Sequence, residues 1–458
     1  MNLCRRNFLG GVIALGVTGG CKTLSPGFDP DLKLGVISDV HIMTPETCAL
    51  MEKSFRYFRC RGVDAVVISG DLSDWGLKSG FQYIKATWDR VFEGTDVVPL
   101  LCTGNHDFEG WWYGDMTVEM HALGYDEGEN LEKLGMKKCW EEVFGEEWAP
   151  VRCRTVKGFD FVSCESRSEK ELAGWMEKNG GKLCGPKPFF YFQHVPVRDC
   201  KQVWNVLEHY PNCVAFTGHV HVPFNDERSI RQGSFTEISV PSLSYAGSPS
   251  GHENGSASRR GDATMVMPML PDRFNLRGGQ GYVVSVYGDE MVVERRDLEE
   301  DAEGAEAWVV PLPGGKEKPY DLALREKTLG VPEFPAGAQI EIGTRNTVTR
   351  QGKWCAAMNC VFPSATIADN TRVWDYEIRA VPKDGSEPMV KRFLSPAYAK
   401  MAKFEPARQK FWFDVVDLPQ DKEYVVEVYA RNCFGKHSKP LVSGVRRGKP
   451  GLATCRKN

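Results

Sequence analysis

Five short clusters in this chain combine residue types that bind metal ions: Asp39-Val40-His41, Gly70-Asp71-Leu72-Ser73-Asp74, Gly104-Asn105-His106-Asp107, Gln193-His194 and Gly218-His219-Val220-His221. They offer carboxylates, imidazoles and one carboxamide oxygen, with no thiolate among them. Such a donor set suits hard or borderline divalent cations. Five of the nine histidines fall in these clusters. Singly, each has an ordinary explanation: an Asp-x-His makes a turn, a loop histidine is solvated, an Asp after a strand caps the next helix. Together, in order and each at the end of an apolar run, they describe one site. Its candidate metal ligands are Asp39, His41, Asp71, Asn105, His194, His219 and His221.

The elements that must position these residues follow from the apolar runs. Strands are predicted at Leu34–Ser38, Ala65–Ser69, Val97–Thr103, Phe189–Gln193 and Val214–Thr217, near-continuous apolar segments of the kind buried on both faces. A helix is predicted between the first two, with Thr44 as N-cap and Pro45 at the first helical position; a second begins near Ser79. Strands alternating with helices give an α/β fold, and in such folds ligands bind outside the carboxyl ends of the strands. Gly70, Gly104 and Gly218 each precede a candidate ligand and permit a tight turn or close backbone approach. Two stretches interrupt the pattern: Phe108–Trp148, rich in aromatic and acidic residues, and the Gly/Ser-rich Gly247–Asp262.

In their order and spacing the clusters resemble the motifs of calcineurin-like metallophosphoesterases: Asp-x-His, Gly-Asp-x-x-Asp, Gly-Asn-His-Asp, a lone His and Gly-His-x-His, over roughly Lys33 to Pro313. The resemblance implies a four-layer α/β/β/α sandwich and two metal ions, divalent or trivalent, among manganese, iron and zinc. Asp39, His41, Asp71 and His221 would hold one ion; Asp71 would bridge to the second, held also by Asn105, His194 and His219. His106 would lie beside the phosphate and protonate the departing oxygen. Asp74 would either orient His106 or cap the following helix. Purple acid phosphatases carry a tyrosine ligand where this chain has Asp74, so no iron–tyrosinate site is expected. The implied reaction is attack of a metal-bridging hydroxide on a phosphomonoester or phosphodiester, with a pyrophosphate bond as the alternative target. Two cations about 3.5–4 Å apart clamp the attacking and leaving oxygens of such a displacement. The substrate would be a phosphorylated small molecule or polymer. Trp111, Trp112 and Tyr113 either stack on a planar leaving group or pack as a lid; Arg259 and Arg260 either meet phosphate or are solvated.

The rest of the chain sets the context. Its 458 residues are too many for one ordinary core. A net charge of -4 gives no global basic field, so nucleic acid is not expected as a general partner. Arg5 and Arg6, the apolar run Phe8–Val17 and the ending Thr18-Gly19-Gly20-Cys21 read as a signal segment over residues 1–21. It resembles a twin-arginine signal and a bacterial lipoprotein box, departing from that box at Thr18. This implies an exported protein, periplasmic or at the cell surface, anchored to membrane through lipidated Cys21. Setting Cys4 and Cys21 aside leaves an odd number of the fifteen cysteines, so at least one thiol is unpaired. The phosphoesterase-like domain is expected over 33–313 and a linker over 314–333. A β-sandwich is expected over 334–445, resembling fibronectin type III at Leu418 and Tyr424. Because every site motif precedes Pro313, the sandwich is expected to be dispensable for chemistry. A competing reading makes the whole an inactive envelope lipoprotein whose sandwich holds a glycan or protein.

Overall fold

The structure, a computed structural model, describes residues 29–42, 45–109, 131–245, 265–266, 278–312, 317–348, 354–395, 406–413, 418 and 422–447. The signal segment with Cys21, Thr44, Trp111, Trp112, Tyr113, Arg259 and Arg260 lie outside these residues.

The chain begins with β1 (Leu32–Ile37), α1 (Pro45–Arg61), β2 (Ala65–Ser69), α2 (Lys78–Phe92), β3 (Val98–Cys102) and the short α3 (His106–Glu109). β1, β2 and β3 are parallel, with Leu34 beside Ala65 and Ala65 beside Val98. After α4 (Met136–Phe144) the chain builds a second sheet from β4 (Val151–Val156), β5 (Phe159–Cys164), β6 (Phe189–Gln193), β7 (Cys213–Thr217), β8 (Ile230–Gln232) and β9 (Thr236–Ser239). Helices α5 (Glu171–Asn179) and α6 (Lys201–Leu207) connect its strands, and β5, β6, β7 and β9 run parallel. Past β10 (Met265–Val266) the chain returns to the first sheet as the antiparallel β11 (Gln280–Tyr287), β12 (Glu290–Asp297) and β13 (Ala302–Pro311). The strand orders are β13-β12-β11-β1-β2-β3 and β4-β5-β6-β7-β9-β8.

Apolar side chains of both sheets meet between them, where Val36, Val67, Phe190, Phe216, Val284 and Trp308 are buried together. The outer face of the first sheet packs on α1, α2 and α4 through Phe55, Phe58, Phe81 and Trp140. That of the second packs on α5 and α6 through Leu172, Met176 and Val203. This is the four-layer α/β/β/α arrangement.

The predicted strands are present: β2 and β6 have the predicted bounds, β1 and β7 begin earlier, and β1 and β3 end one residue sooner. Thr103 leaves β3 because its N–H donates to the Glu165 carboxylate (2.8 Å) instead of a ladder carbonyl. Ser38 leaves β1 and forms an isolated bridge with Ser242, stitching the first sheet to the loop after β9.

The expected linker contains a helix, α7 (Leu322–Thr328), capped by Asp321, whose carboxylate accepts from Leu324 N (2.9 Å). Beyond it lie two sheets and no helix among the described residues: β14 (Glu341–Val348), β15 (Trp354–Pro363) and β18 (Arg408–Phe413) against β16 (Asp375–Pro382), β17 (Met389–Leu394), β19 (Glu423–Arg431) and β20 (Leu441–Val442). The alternation in β19 is as expected, with Tyr424, Val426, Val428 and Ala430 inward in a core shared with Tyr376, Phe393, Phe411 and Leu418. β10 adds to this second sheet, parallel to β17, with Met265 beside Arg392.

Cys102, Cys139, Cys164, Cys213, Cys360 and Cys433 are buried free thiols. No described helix is long and apolar enough to cross a membrane.

Candidate metal centre

All five clusters lie where strands end: after β1, β2, β3, β6 and β7. Leaving a strand and turning a side chain back over its end requires an abrupt change of backbone direction. Five candidate ligands make it with left-handed backbone: Asp39 (φ 52°), His41 (46°), Asp71 (50°), His219 (72°) and His221 (49°). This conformation is disfavoured for L-residues, though Asp and His tolerate it best. Backbone strain of this kind collects at functional sites. Two of the glycines have explicit reasons. Gly70 takes φ 90°, and a Cβ there would lie 2.6 Å from the His194 ring. A Cβ on Gly104 would lie 2.1 Å from Asp71 Oδ1.

The imidazoles share one arrangement. His41 donates from Nδ1 to the Asp74 carboxylate (2.6 Å), His194 from Nδ1 to the Ser69 carbonyl (2.8 Å) and His221 from Nδ1 to the Tyr245 carbonyl (3.0 Å). Each acceptor takes the Nδ1 proton and turns Nε2, the nitrogen left to bind metal, inward. These Nε2 atoms converge on two carboxylates. Asp39 Oδ1 is 2.9 Å from His221, and Asp71 Oδ2 is 3.0 Å from His194 and 3.6 Å from His41. The Nε2 atoms of His41 and His221 are only 3.3 Å apart. His194 Nε2 is fully buried, with no hydrogen bond of acceptable geometry. Ring nitrogens facing one another beside two buried carboxylates call for a cation among them, a proton on a ring or a metal ion. The donors of Asp39, His41, Asp71 and His221 all fall within 4.8 Å of one another. On the other side of Asp71, His219 Nδ1 is 2.9 Å from Asn105 Oδ1, and the His194 and His219 rings are 5.2 Å apart.

Charge reinforces this. Burial opposes ionisation of Asp39, but His221 and His194 outweigh it and hold the carboxyl well below its usual range. Burial is likewise outweighed at Asp71, by His194 and His41. Burial would push His194 down; Asp71 and Asp39 raise it to about 9. His221 also rises, since Asp39 overcomes its burial. The carboxylates therefore stay charged inside the fold, and His194 and His221 are drawn toward protons that a metal would displace.

A model of the calcineurin-like phosphoesterase family matches residues 32–223. These residues form a calcineurin-like phosphoesterase domain. The chain is thus a hydrolase acting on phosphate esters, with a buried Asp/His cluster for its binuclear metal centre. Similar solved structures include a dimetal phosphatase from Danio rerio, at 14% identity over 62% of this chain and 100% of that one, with a TM-score of 0.34. A predicted phosphoesterase from Streptococcus pneumoniae matches at 12% identity over 61% and 97%, TM-score 0.27. A purple acid phosphatase from yellow lupin (Lupinus luteus) matches at 13% identity over 61% and 53%, TM-score 0.37. No curated protein matches the chain.

Within the phosphoesterase domain, His106 is half-buried, its ring edge-on to His41 at 4.6 Å. Its Nδ1 is 3.0 Å from the Asp74 carbonyl and 3.4 Å from the Asp74 carboxylate. Asp74 therefore touches both histidines and is closest to His41. It does not cap α2, whose N-cap is Leu77 without a side-chain bond. Asp107, present in the third motif but given no role from sequence, is a buried tie. It accepts from Gly104 N (2.8 Å), Ser73 N (2.8 Å) and Leu72 N (3.2 Å), joining the loops after β2 and β3. Burial and Asp71 push it to about 7 against these donors. Sequence reasoning also missed Tyr245, whose ring lies 4.2 Å from His221 and 5.2 Å from His41 and is 44% exposed. Its position at the edge of the Gly/Ser-rich stretch carries no motif.

Proposed function

We propose that Asp39, His41, Asp71 and His221 hold one metal ion and that Asp71, Asn105, His194 and His219 hold the second, serving hydrolysis of phosphomonoesters or phosphodiesters. The observation that carries this reading is the common aim of three imidazoles: each spends Nδ1–H on a fixed acceptor and points Nε2 at a carboxylate shared with another. Oxygen and nitrogen donors without thiolate suit manganese, iron or zinc. When bound, such a pair neutralises phosphoryl charge and makes water acidic enough to attack near neutral pH. Asp71 sits centrally because its Oδ1 accepts the His106 N–H (2.9 Å) while Oδ2 faces His194 and His41. The same bond fixes the His106 backbone beside the centre. With Nδ1 on the Asp74 carbonyl, His106 is placed to pass a proton to the leaving oxygen. Tyr245 forms an aromatic rim on the His221 side.

The reading extends to location. The paired arginines, the short apolar run and Cys21 support export and a lipid anchor at the cell envelope. The buried Leu418 and Tyr424 support a fibronectin type III-like relation for the C-terminal sheets.

Elemental analysis and hydrolysis assays on the purified full-length protein test the proposal. About two metal ions per chain are expected, with turnover of p-nitrophenyl phosphate or bis(p-nitrophenyl) phosphate that a chelator removes and added manganese, zinc or iron restores. Full activity in metal-free protein would overturn it.

A further inference from the structure

The loop carrying His219 and His221 does not end at the metal centre. It continues through buried Val222, Phe224, Asn225, Asp226, Glu227, Arg228 and Ser229 into β8. Four acidic, basic or amide side chains, Asn225 to Arg228, buried under a protein surface require partners, and at Glu227 they come from three parts of the molecule. Its Oε1 accepts from Arg295 on β12 (2.5 Å), and its Oε2 accepts from the Trp308 indole on β13 (3.0 Å) and from Arg325 on α7. Arg295 also donates to the Phe224 carbonyl (3.0 Å). Phe224 packs where Gly304 has no side chain; a Cβ there would lie 2.0 Å from its ring.

The next residue reaches the C-terminal sheets. Arg228 is held by Asp226 through Nε (2.9 Å) and Nη2 (2.6 Å), and its guanidinium lies 5.2 Å from the centre of the Trp374 ring. Trp374, Leu394 and Cys433 form a small buried cluster with Leu329 and Phe434 packed on it. Burial and the Asp226 carboxylate push the Cys433 thiol up. α7 is tied to the same sheet: Lys436 Nζ donates to the Lys327 carbonyl (2.9 Å) and Asn432 Nδ2 to the Gly330 carbonyl (2.9 Å). The chain leaving Tyr245, whose carbonyl orients His221, returns as β10 on the edge of the C-terminal sheet.

We propose that the C-terminal sandwich and α7 are a working part of the metal centre, clamping the His219–His221 loop through Glu227 and Arg228. Glu227 is then a positioning residue. It touches no substrate and fixes the backbone from which two metal ligands project. This reverses the expectation of a dispensable sandwich on a plain linker. The proposal rests on the metal-binding reading of His219 and His221.

Hydrogen exchange on the full-length protein, manganese-loaded and then chelated, tests it. Coupling requires that chelation speeds amide exchange in residues 222–229 and also around Trp374 and Asn432–Lys436, outside the phosphoesterase domain. A rise in 222–229 with the C-terminal sheets unchanged would overturn it. In a second arm, Arg325→Met should weaken manganese affinity by about tenfold, the range in which residues supporting metal ligands act, with Arg325→Lys recovering part of the loss. Unchanged affinity in folded Arg325→Met would overturn the clamp. If the wild type takes up no metal, the metal-centre reading fails instead. Melting then judges the clamp: Arg325→Met should split one cooperative transition into two, and an unsplit transition counts against it.

Discussion

The carboxylates of Asp39 and Asp71 and that of Glu227 are all buried, with 0, 1 and 4% of each residue exposed, and six positions separate His221 from Glu227. The two clusters treat buried charge in opposite ways. Glu227 is complete: two guanidiniums and an indole N–H satisfy it, from β12, α7 and β13. The Asp39–Asp71 cluster gathers two anions and three imidazoles whose Nε2 atoms point at them or at one another, all but His194 on left-handed backbone. A complete cluster fixes geometry. An incomplete one, held in place by its surroundings, is shaped for a ligand that completes it.

The comparison fails most visibly if removing a carboxylate has the same consequence in both places. Asp71→Asn should empty the centre of metal and lower turnover by about 10⁴-fold or more, because charge stabilisation and the activated water go together; elemental analysis and steady-state kinetics check this. His106→Ala should retain its metal. On an alkyl phosphate it should lose about 10²–10⁴ in turnover, and on a nitrophenyl ester, whose leaving group hardly needs a proton, less than about tenfold. Equal losses on both esters would remove the acid role. Glu227→Gln should be read in stability: depriving buried Arg295 and half-buried Arg325 of their carboxylate costs about 3–5 kcal/mol, measurable by denaturant unfolding. A smaller change is expected at Asp74. Asp74→Ala frees the His41 ring and should weaken metal binding by about 10–100-fold, seen in competition with a chelator, with Asp74→Asn recovering part by keeping an acceptor.

The two clusters also differ in how far they were legible in the sequence. The metal centre could be located because each ligand follows an apolar run within four residues, so the runs placed all five clusters at one end of one fold. What stayed hidden was the orientation of each ring, since Ser69 and Tyr245 act through backbone carbonyls that any residue supplies. Asp74 could be paired with His106 or a helix end from spacing, but its shortest contact, to His41, crosses from the loop after β2 to the loop after β1. The Glu227 cluster gave no signal. Its members lie 68, 81 and 98 positions apart in sequence, and single Arg, Trp and Glu residues carry no periodicity. The alternation in β19 announced a sandwich face but said nothing of the edge strand donated by Met265–Val266.

The slightest expected effect separates the clusters by pH. In metal-free protein His194 rises from an ordinary 6.5 to about 9, because Asp71 and Asp39 outweigh its burial. A histidine whose folded value is raised contributes stability that is fully present below its unfolded value and is lost as pH rises through the folded one. Chelated protein should therefore melt progressively lower from about pH 6.5 to pH 9. His221, raised in the same direction, adds to the slope. Metal uptake should strengthen over that window, since each ion must displace a proton from the imidazole it binds. Stability of the chelated form and affinity for metal thus run in opposite directions with pH. In metal-loaded protein the slope should flatten, because Nε2 no longer carries a titrating proton. His194→Gln should flatten it in the chelated form too. Arg325→Met should leave the His194 part of it in place, since that substitution reaches the centre only through the His219–His221 loop. Calorimetric melting of the chelated wild type and both variants decides the matter. Stability that climbs from neutral to alkaline pH in the chelated wild type would mean that His194 carries no proton between Asp39 and Asp71, and that the cradle is not the charge-poised site described by its geometry.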